Sequence, residues 1–143
     1  MTVSLNFFKQ YHCNIVKALG DDAKKINAKV GSIMADEWLS REHADLNDPQ
    51  NFREDFRNYL LNELEFARDV DVVIKGNDMD ITVKGCVICH GNELLRQEGM
   101  ATACPIVQTS KYAVVKGLKK NVTMKGVDKP GVVGDCVIRF ELQ

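Results

Sequence analysis

Cys86-Val87-Ile88-Cys89-His90 is the stretch of this 143-residue chain whose residue types and spacing point most directly to chemistry. Two thiols separated by two residues in a turn aim their sulfurs at one region of space, which is how a metal-ligating pair is spaced. Cys104-Pro105 follows, and a cysteine at a helix start meets free N–H groups and a positive dipole end that favour its thiolate. Cys136 opens the last apolar stretch and brings the set to four thiols. Four thiolates suit tetrahedral zinc or an iron-sulfur cluster, and His90 is the local alternative for the fourth position.

The same residues satisfy the CxxCH pattern of covalent c-type haem, with two thioethers and an axial histidine. Haem attachment of that kind follows export, and the opening Met1-Thr2-Val3-Ser4-Leu5 lacks the basic start and long apolar centre of an export signal. The expected location is therefore the cytoplasm, where five cysteines are free, metal-bound or redox-active rather than a disulfide framework. A thioredoxin-type redox pair is disfavoured because the pair is expected to follow a hairpin instead of opening a helix after a parallel strand. Cys13, between His12 and Val16 on an apolar-patterned segment, reads as a small apolar residue. No Gly-rich phosphate loop, Gly-x-Ser-x-Gly elbow or His-Glu-x-x-His helix occurs, so no complete catalytic set is visible.

The elements that must position these thiols are legible from periodicity. Apolar Phe8, Tyr11, Ile15 and Leu19, widened by Phe7 and Val16, predict a first helix over 6–19 that Gly20 stops. Asp21 and Asp22 then cap a second, with Ala23, Ile26, Val30, Ile33, Met34 and Trp38 on one face. Both helices need a partner surface for those faces. His43 is expected on the solvated end of the second helix. Asp48-Pro49 starts a third helix, with Phe52, Phe56, Tyr59, Leu60, Leu64 and Ala67 inward.

At Val70 the period changes. Val70 to Ile74 and Met79 to Val83 form a hairpin about Gly76-Asn77-Asp78. Asn92 is expected to cap a short helix over 93–98, and Cys104-Pro105 to open another reaching about Leu118. Asn121 to Lys125 and Cys136 to Leu142 supply two more strands, the last with Cys136, Ile138, Phe140 and Leu142 on one face. The whole predicts an α+β domain over 1–143, with helices over 1–68 and a four-stranded antiparallel meander carrying the cysteines over 69–143.

Composition narrows the partners. Nineteen basic and twenty acidic residues give a net charge of -1, so no field favours nucleic acid or an anionic membrane. No segment approaches the roughly twenty apolar residues that span a bilayer.

Cys86 and Cys89 after a hairpin, Cys104-Pro105-Ile106 opening a helix, then Gly134-Asp135 and Arg139-Phe140 together resemble the 4-vinyl reductase domain family, whose fold is that of the core subunits of TRAPP vesicle-tethering complexes. Here Cys136 follows Gly134-Asp135 at once and Ile138 stands where that family has a cysteine. The resemblance implies an α/β plait, a cysteine-bound metal and a neighbouring pocket for a small apolar molecule, with Trp38, Phe56, Tyr59 and Tyr112 as candidate lining. The expected function is a ligand-binding or sensor module with zinc or an iron-sulfur cluster on cysteine. The alternatives are a redox enzyme or electron carrier with an iron-sulfur cluster, c-type haem on CxxCH, and an interaction protein whose helical half forms a homodimer, as the tethering subunits pair.

Overall fold

The computed structural model describes residues 4–143. Met1, Thr2 and Val3, where the reading of the N-terminus as leaderless begins, lie outside the described residues. Ser4 accepts a hydrogen bond from the Phe7 N–H and starts helix α1, Leu5–Leu19. Gly20 ends it with φ of 57°, a conformation that costs glycine least. A 3₁₀ turn, Gly20–Asp22, leads into α2, Ala23–Leu39, with no side-chain cap from Asp22. Asp48 caps α3, Pro49–Asn58, by accepting from the N–H groups of Gln50 and Asn51, with Pro49 at the first helical position as the sequence predicts.

Strands β1, Asp69–Lys75, and β2, Asp78–Lys84, pair antiparallel as the expected hairpin, Val70 opposite Val83 and Ile74 opposite Met79, with Lys75 opposite Asp78 so that the turn is Gly76-Asn77. Helices α4, Val87–Gln97, and α5, Pro105–Ala113, separate them from β3, Val122–Asp128, and β4, Cys136–Leu142. The fold is α+β, a four-stranded antiparallel sheet with N-terminal helices. Strand order is β1-β2-β4-β3, not the sequential order of a meander. The burial of each strand accounts for this. Cys136, Ile138, Phe140 and Leu142 are buried and claim a central position, whereas β3 carries Thr123, Met124 and Lys125 exposed and a bulge at Met124/Gly126, which suit an edge.

One large core joins the sheet's inner residues, among them Val72, Ile81 and Phe140, to Trp38, Phe52, Phe56 and Leu60. A smaller cluster of Cys13, Val16, Leu95 and Ala103 holds α1 to α4. Each of these helix pairings approaches closely at a glycine. A Cβ on Gly31 would lie 2.5 Å from Cβ of Gln108 on α5, and one on Gly91 would lie 2.8 Å from Cβ of His12.

Val16 and Trp38 turn inward as their periodicity predicts, but the rest of the inward faces of the first two helices are not the predicted ones. Cys13 and Val16 are buried on α1, and Gly31, Ala35 and Trp38 on α2, while Phe7, Phe8, Tyr11, Ile15, Ile26, Val30 and Ile33 remain exposed. His43 also departs from its expected solvated place. Its ring bonds Asp55 through Nδ1 and lies 2.6 Å from the Trp38 carbonyl through Nε2, tying the end of α2 to α3. Among the described residues no helix is long and apolar enough to cross a membrane.

Candidate cysteine centre

The cysteines gather at the end of the sheet where β2 and β4 leave it. Val83 pairs with Cys136, and the chain stays zipped beyond that pair: Gly85 N–H donates to Asp135 Oδ1 at 3.1 Å, and Cys86 N–H donates to the Gly134 carbonyl at 2.8 Å. Gly134, at φ of 103°, permits this approach, since a Cβ there would lie 3.3 Å from the Cys86 nitrogen. The Gly134-Asp135 dipeptide thus serves to dock Cys86 beside Cys136. The Val87 N–H donates to the Phe66 carbonyl at 3.0 Å and holds the start of α4 from the other side.

Cys86 occupies the N-cap position of α4, and Cys89 lies in its first turn. This corrects the expectation that the pair sits in a turn ahead of a helix capped by Asn92. Asn92 is instead buried within α4, where its side-chain oxygen accepts from the Ala103 N–H at 3.2 Å and meets His12 Nε2 at 2.8 Å. A buried amide with two partners is worth more to the fold than a cap exposed to water. The objection to a thioredoxin-type pair, that it does not open a helix, falls with this finding, although the strand before it is antiparallel.

Cys104 arrives separately as the N-cap residue of α5, ahead of Pro105, as predicted. Asn27 of α2 donates to its carbonyl at 3.2 Å.

The thiols act on one another. Cys89 is held well below the usual thiol range, first because it accepts from the Cys136 thiol and next from that of Cys86; burial opposes this, and Lys129 and Arg96 assist it. Cys86 and Cys136 are pushed up, each chiefly by its hydrogen bond to Cys89 and then by burial. Cys104 is only half-buried as a residue, yet burial of its thiol raises it, with the charge of Cys89 adding to the effect. Cys86, Cys89 and Cys136 therefore shift one another's titration, and Cys104 lies within electrostatic reach of Cys89.

Hydrogen bonding among sulfurs and metal ligation are different demands. Ligation requires every sulfur to aim at one point about 2.3 Å away. Among the described residues no group of three or more His, Cys, Asp or Glu side chains is so arranged as to hold a metal ion. Cys86, Cys89 and Cys136 are collected but not posed, and a metal would have to turn the thiols inward. As donors they suit a thiophilic metal, because thiols are soft ligands and the Cys89 thiol is shifted toward its ionised form. His90 lies half-buried one residue beyond Cys89 on α4, and Cys13 belongs to the separate α1–α4 cluster.

Two clefts flank the centre. One, of ≈ 230 Å³, is lined by Cys89, Arg96, Lys129 and the 131–135 loop. The other, of ≈ 580 Å³, lies between the α1–α2 corner, residues 100–104 and β3, with Cys104 in its wall. Trp38, Phe56, Tyr59 and Tyr112, the lining expected from resemblance, do not border it. Trp38, Phe56 and Tyr59 pack ring on ring in the core, Trp38 at 5.1 Å from Phe56 and 5.8 Å from Tyr59, and Lys116 covers Tyr112. Aromatics at helical spacing have here served closed packing.

The family described as "Putative rubredoxin C-terminal domain" matches residues 10–126, most of the chain. The chain belongs to this family. It is this family, and not the 4-vinyl reductase family of the C-terminal motifs, that the match supports. The matched span includes Cys86, Cys89 and Cys104 and stops before Cys136. No curated protein matches the chain significantly.

Proposed function

We propose that this domain is a cysteine-ligated metal module that carries electrons, with iron on Cys86, Cys89, Cys104 and Cys136. The observation that carries the proposal is that the β2–β4 pairing, Val83 with Cys136, and the Cys86 N–H to Gly134 hydrogen bond bring Cys86, Cys89 and Cys136 from positions far apart in the chain to one end of the sheet, with Cys104 at the start of α5. The family description, which names a rubredoxin, supports iron over zinc. Thiolates favour such a metal, and a buried sulfur shell limits solvent access, which tunes the reduction potential. When bound, the metal supplies one-electron chemistry. The chain's own residues hold it, exclude water and, through Lys129 and Arg96, offset the negative charge of the thiolates.

The test is protein made and purified without oxygen, with metal counted by elemental analysis and its visible spectrum followed during reduction. About one equivalent of iron or more, with a sulfur-to-iron absorption that bleaches reversibly, is expected. Less than about a tenth of an equivalent of any metal sinks the metal reading, since a stoichiometric thiolate site retains its ion. A colourless protein holding zinc sinks the electron-carrier part alone.

A second reading, a sensor for a small apolar molecule, is favoured by the ≈ 580 Å³ cleft, lined by Val16, Ala23, Met100, Val107 and Met124 with Cys104 in the wall. That size lies within the usual range of ligand pockets. A ligand bound there would press on Cys104 and change the spectrum of a metal bound to it. An apolar fluorescent probe whose binding is unchanged by Met100→Trp, which fills the cleft, counts against this reading.

A further inference from the structure

Among the described residues, eight of the thirteen exposed large hydrophobic residues lie on α1 and α2. Phe7, Tyr11 and Ile15 follow one another at i, i+4 and i+8 on α1, and Ile26, Val30 and Ile33 at i, i+4 and i+7 on α2. Such spacing makes a stripe on each helix, of the kind that elsewhere enters a core. Neither stripe does so here. α1 turns Cys13 and Val16 to α4, and α2 turns Gly31 to α5, so the stripes are left on the outside of two consecutive helices joined by Gly20–Asp22. The six side chains keep between 38% and 56% of their surface exposed.

From the size of such side chains the two stripes together expose roughly 600 Å² of apolar surface. A standard protein interface buries about 800 Å² on each partner, so the six residues alone would provide most of one. Phe7 and Tyr11 are stacked with ring centroids 5.7 Å apart, a pre-ordered aromatic anchor of the type that concentrates binding energy.

The charges beside the α2 stripe are separated along the helix. Lys25 and Lys29 flank its first half, and Glu37 closes its far end. Laid antiparallel across a two-fold axis that crosses the stripe between Val30 and Ile33, two copies of α2 set the lysines of each against Glu37 of the other, which an isologous contact requires.

We propose that the outer faces of α1 and α2 form the interface of a homodimer, with α2 antiparallel to its symmetry mate. The proposal does not depend on the metal, and its test uses oligomeric state alone. Sedimentation velocity of the whole chain between about 1 and 100 µM should show a dimer; a monomer throughout overturns the proposal and leaves the face to a different protein. Ile33→Glu together with Tyr11→Glu should give a monomer with unchanged helical circular dichroism, and a folded double variant that remains dimeric overturns the assignment to this face. Should that variant fail to fold, Glu37→Lys decides instead. It should weaken dimerisation about tenfold or more at low salt, with recovery when Lys25→Glu is added. No weakening by Glu37→Lys rules out the antiparallel α2 arrangement.

Discussion

Cys89 is the cysteine of the centre whose thiol is shifted toward the thiolate, chiefly by Cys136 and Cys86. Cys89 borders the cleft lined by Lys129 and Arg96, and its thiol is shifted down while those of Cys86 and Cys136 are shifted up. In metal-free protein at pH 6 to 7, iodoacetamide should modify Cys89 first, with Cys86 and Cys136 resistant, as peptide mass mapping over a time course would show. Equal labelling of all three would contradict the shared-proton arrangement. The same shifts fix the response of stability to pH. Cys89, depressed in the folded state, contributes stability that is present above the ordinary thiol value of 9.0 and is lost as pH falls below it. Cys86 and Cys136, raised in the folded state, contribute stability present below 9.0 and lost as pH rises past it. Two groups act on the alkaline side against one on the acid side, so the metal-free protein should lose stability steeply above about pH 9. Replacing Cys86 and Cys136 by serine leaves hydroxyl donors that do not ionise there, and the alkaline limb of a melting-temperature profile should flatten.

Among the elements, the α2–α5 crossing tests whether close approach or intrinsic propensity dominates. Gly31→Ala improves helix propensity by about 1 kcal/mol. Against this, the new Cβ would stand 2.8 Å from backbone atoms of Gln108 and Thr109, which cannot swing aside as a side-chain end can. Overpacking of this kind costs about 1–3 kcal/mol, more where backbone must move, so the variant should melt several degrees lower; an unchanged or higher melting temperature would mean that α5 yields easily. Gly31 also shows how far the elements were legible in the sequence. The first two helices, the hairpin, the Asp48-Pro49 start and the buried face of β4 follow from local pattern, because caps, turns and alternation act within a few residues. Which face of α1 or α2 turns inward does not follow. A glycine that lets another helix within touching distance outweighs a stripe of isoleucines, and hydropathy carries no sign of it. The placing of β4 between β2 and β3, and of the CxxC on α4 itself, were likewise decided by long-range pairing, Val83 with Cys136 and Cys86 with Gly134. Spacing alone places Cys86 beside Cys89, but Cys136 reaches them through the β2–β4 pairing that a sequential meander lacks, and the bordering clefts depend on loops that no periodicity describes.

For the whole molecule, a metal bound by these cysteines would tie together segments that are otherwise joined only by noncovalent packing. Cys86 stands at the end of β2, Cys104 at the start of α5 and Cys136 at the start of β4, so a single ion would close every loop between them. Because the thiols are gathered but not posed for ligation, part of the binding energy goes into turning them inward, and the remainder appears as folding stability. At a thousandfold excess of free metal over its dissociation constant, that remainder is about 4 kcal/mol. For a chain of this length it corresponds to a rise of roughly 10–15 °C in melting temperature. Anaerobic addition of ferrous ion to metal-free protein should produce a shift of this order. Cys104→Ser should reduce the shift, and Cys13→Ser, which alters only the α1–α4 cluster, should lower the melting temperature with and without metal by the same amount. A shift that survives Cys104→Ser undiminished would leave Cys86, Cys89 and Cys136 as the protein ligands and give the fourth position to another donor, while no shift at all in the wild-type protein would separate the thiol cluster from metal binding.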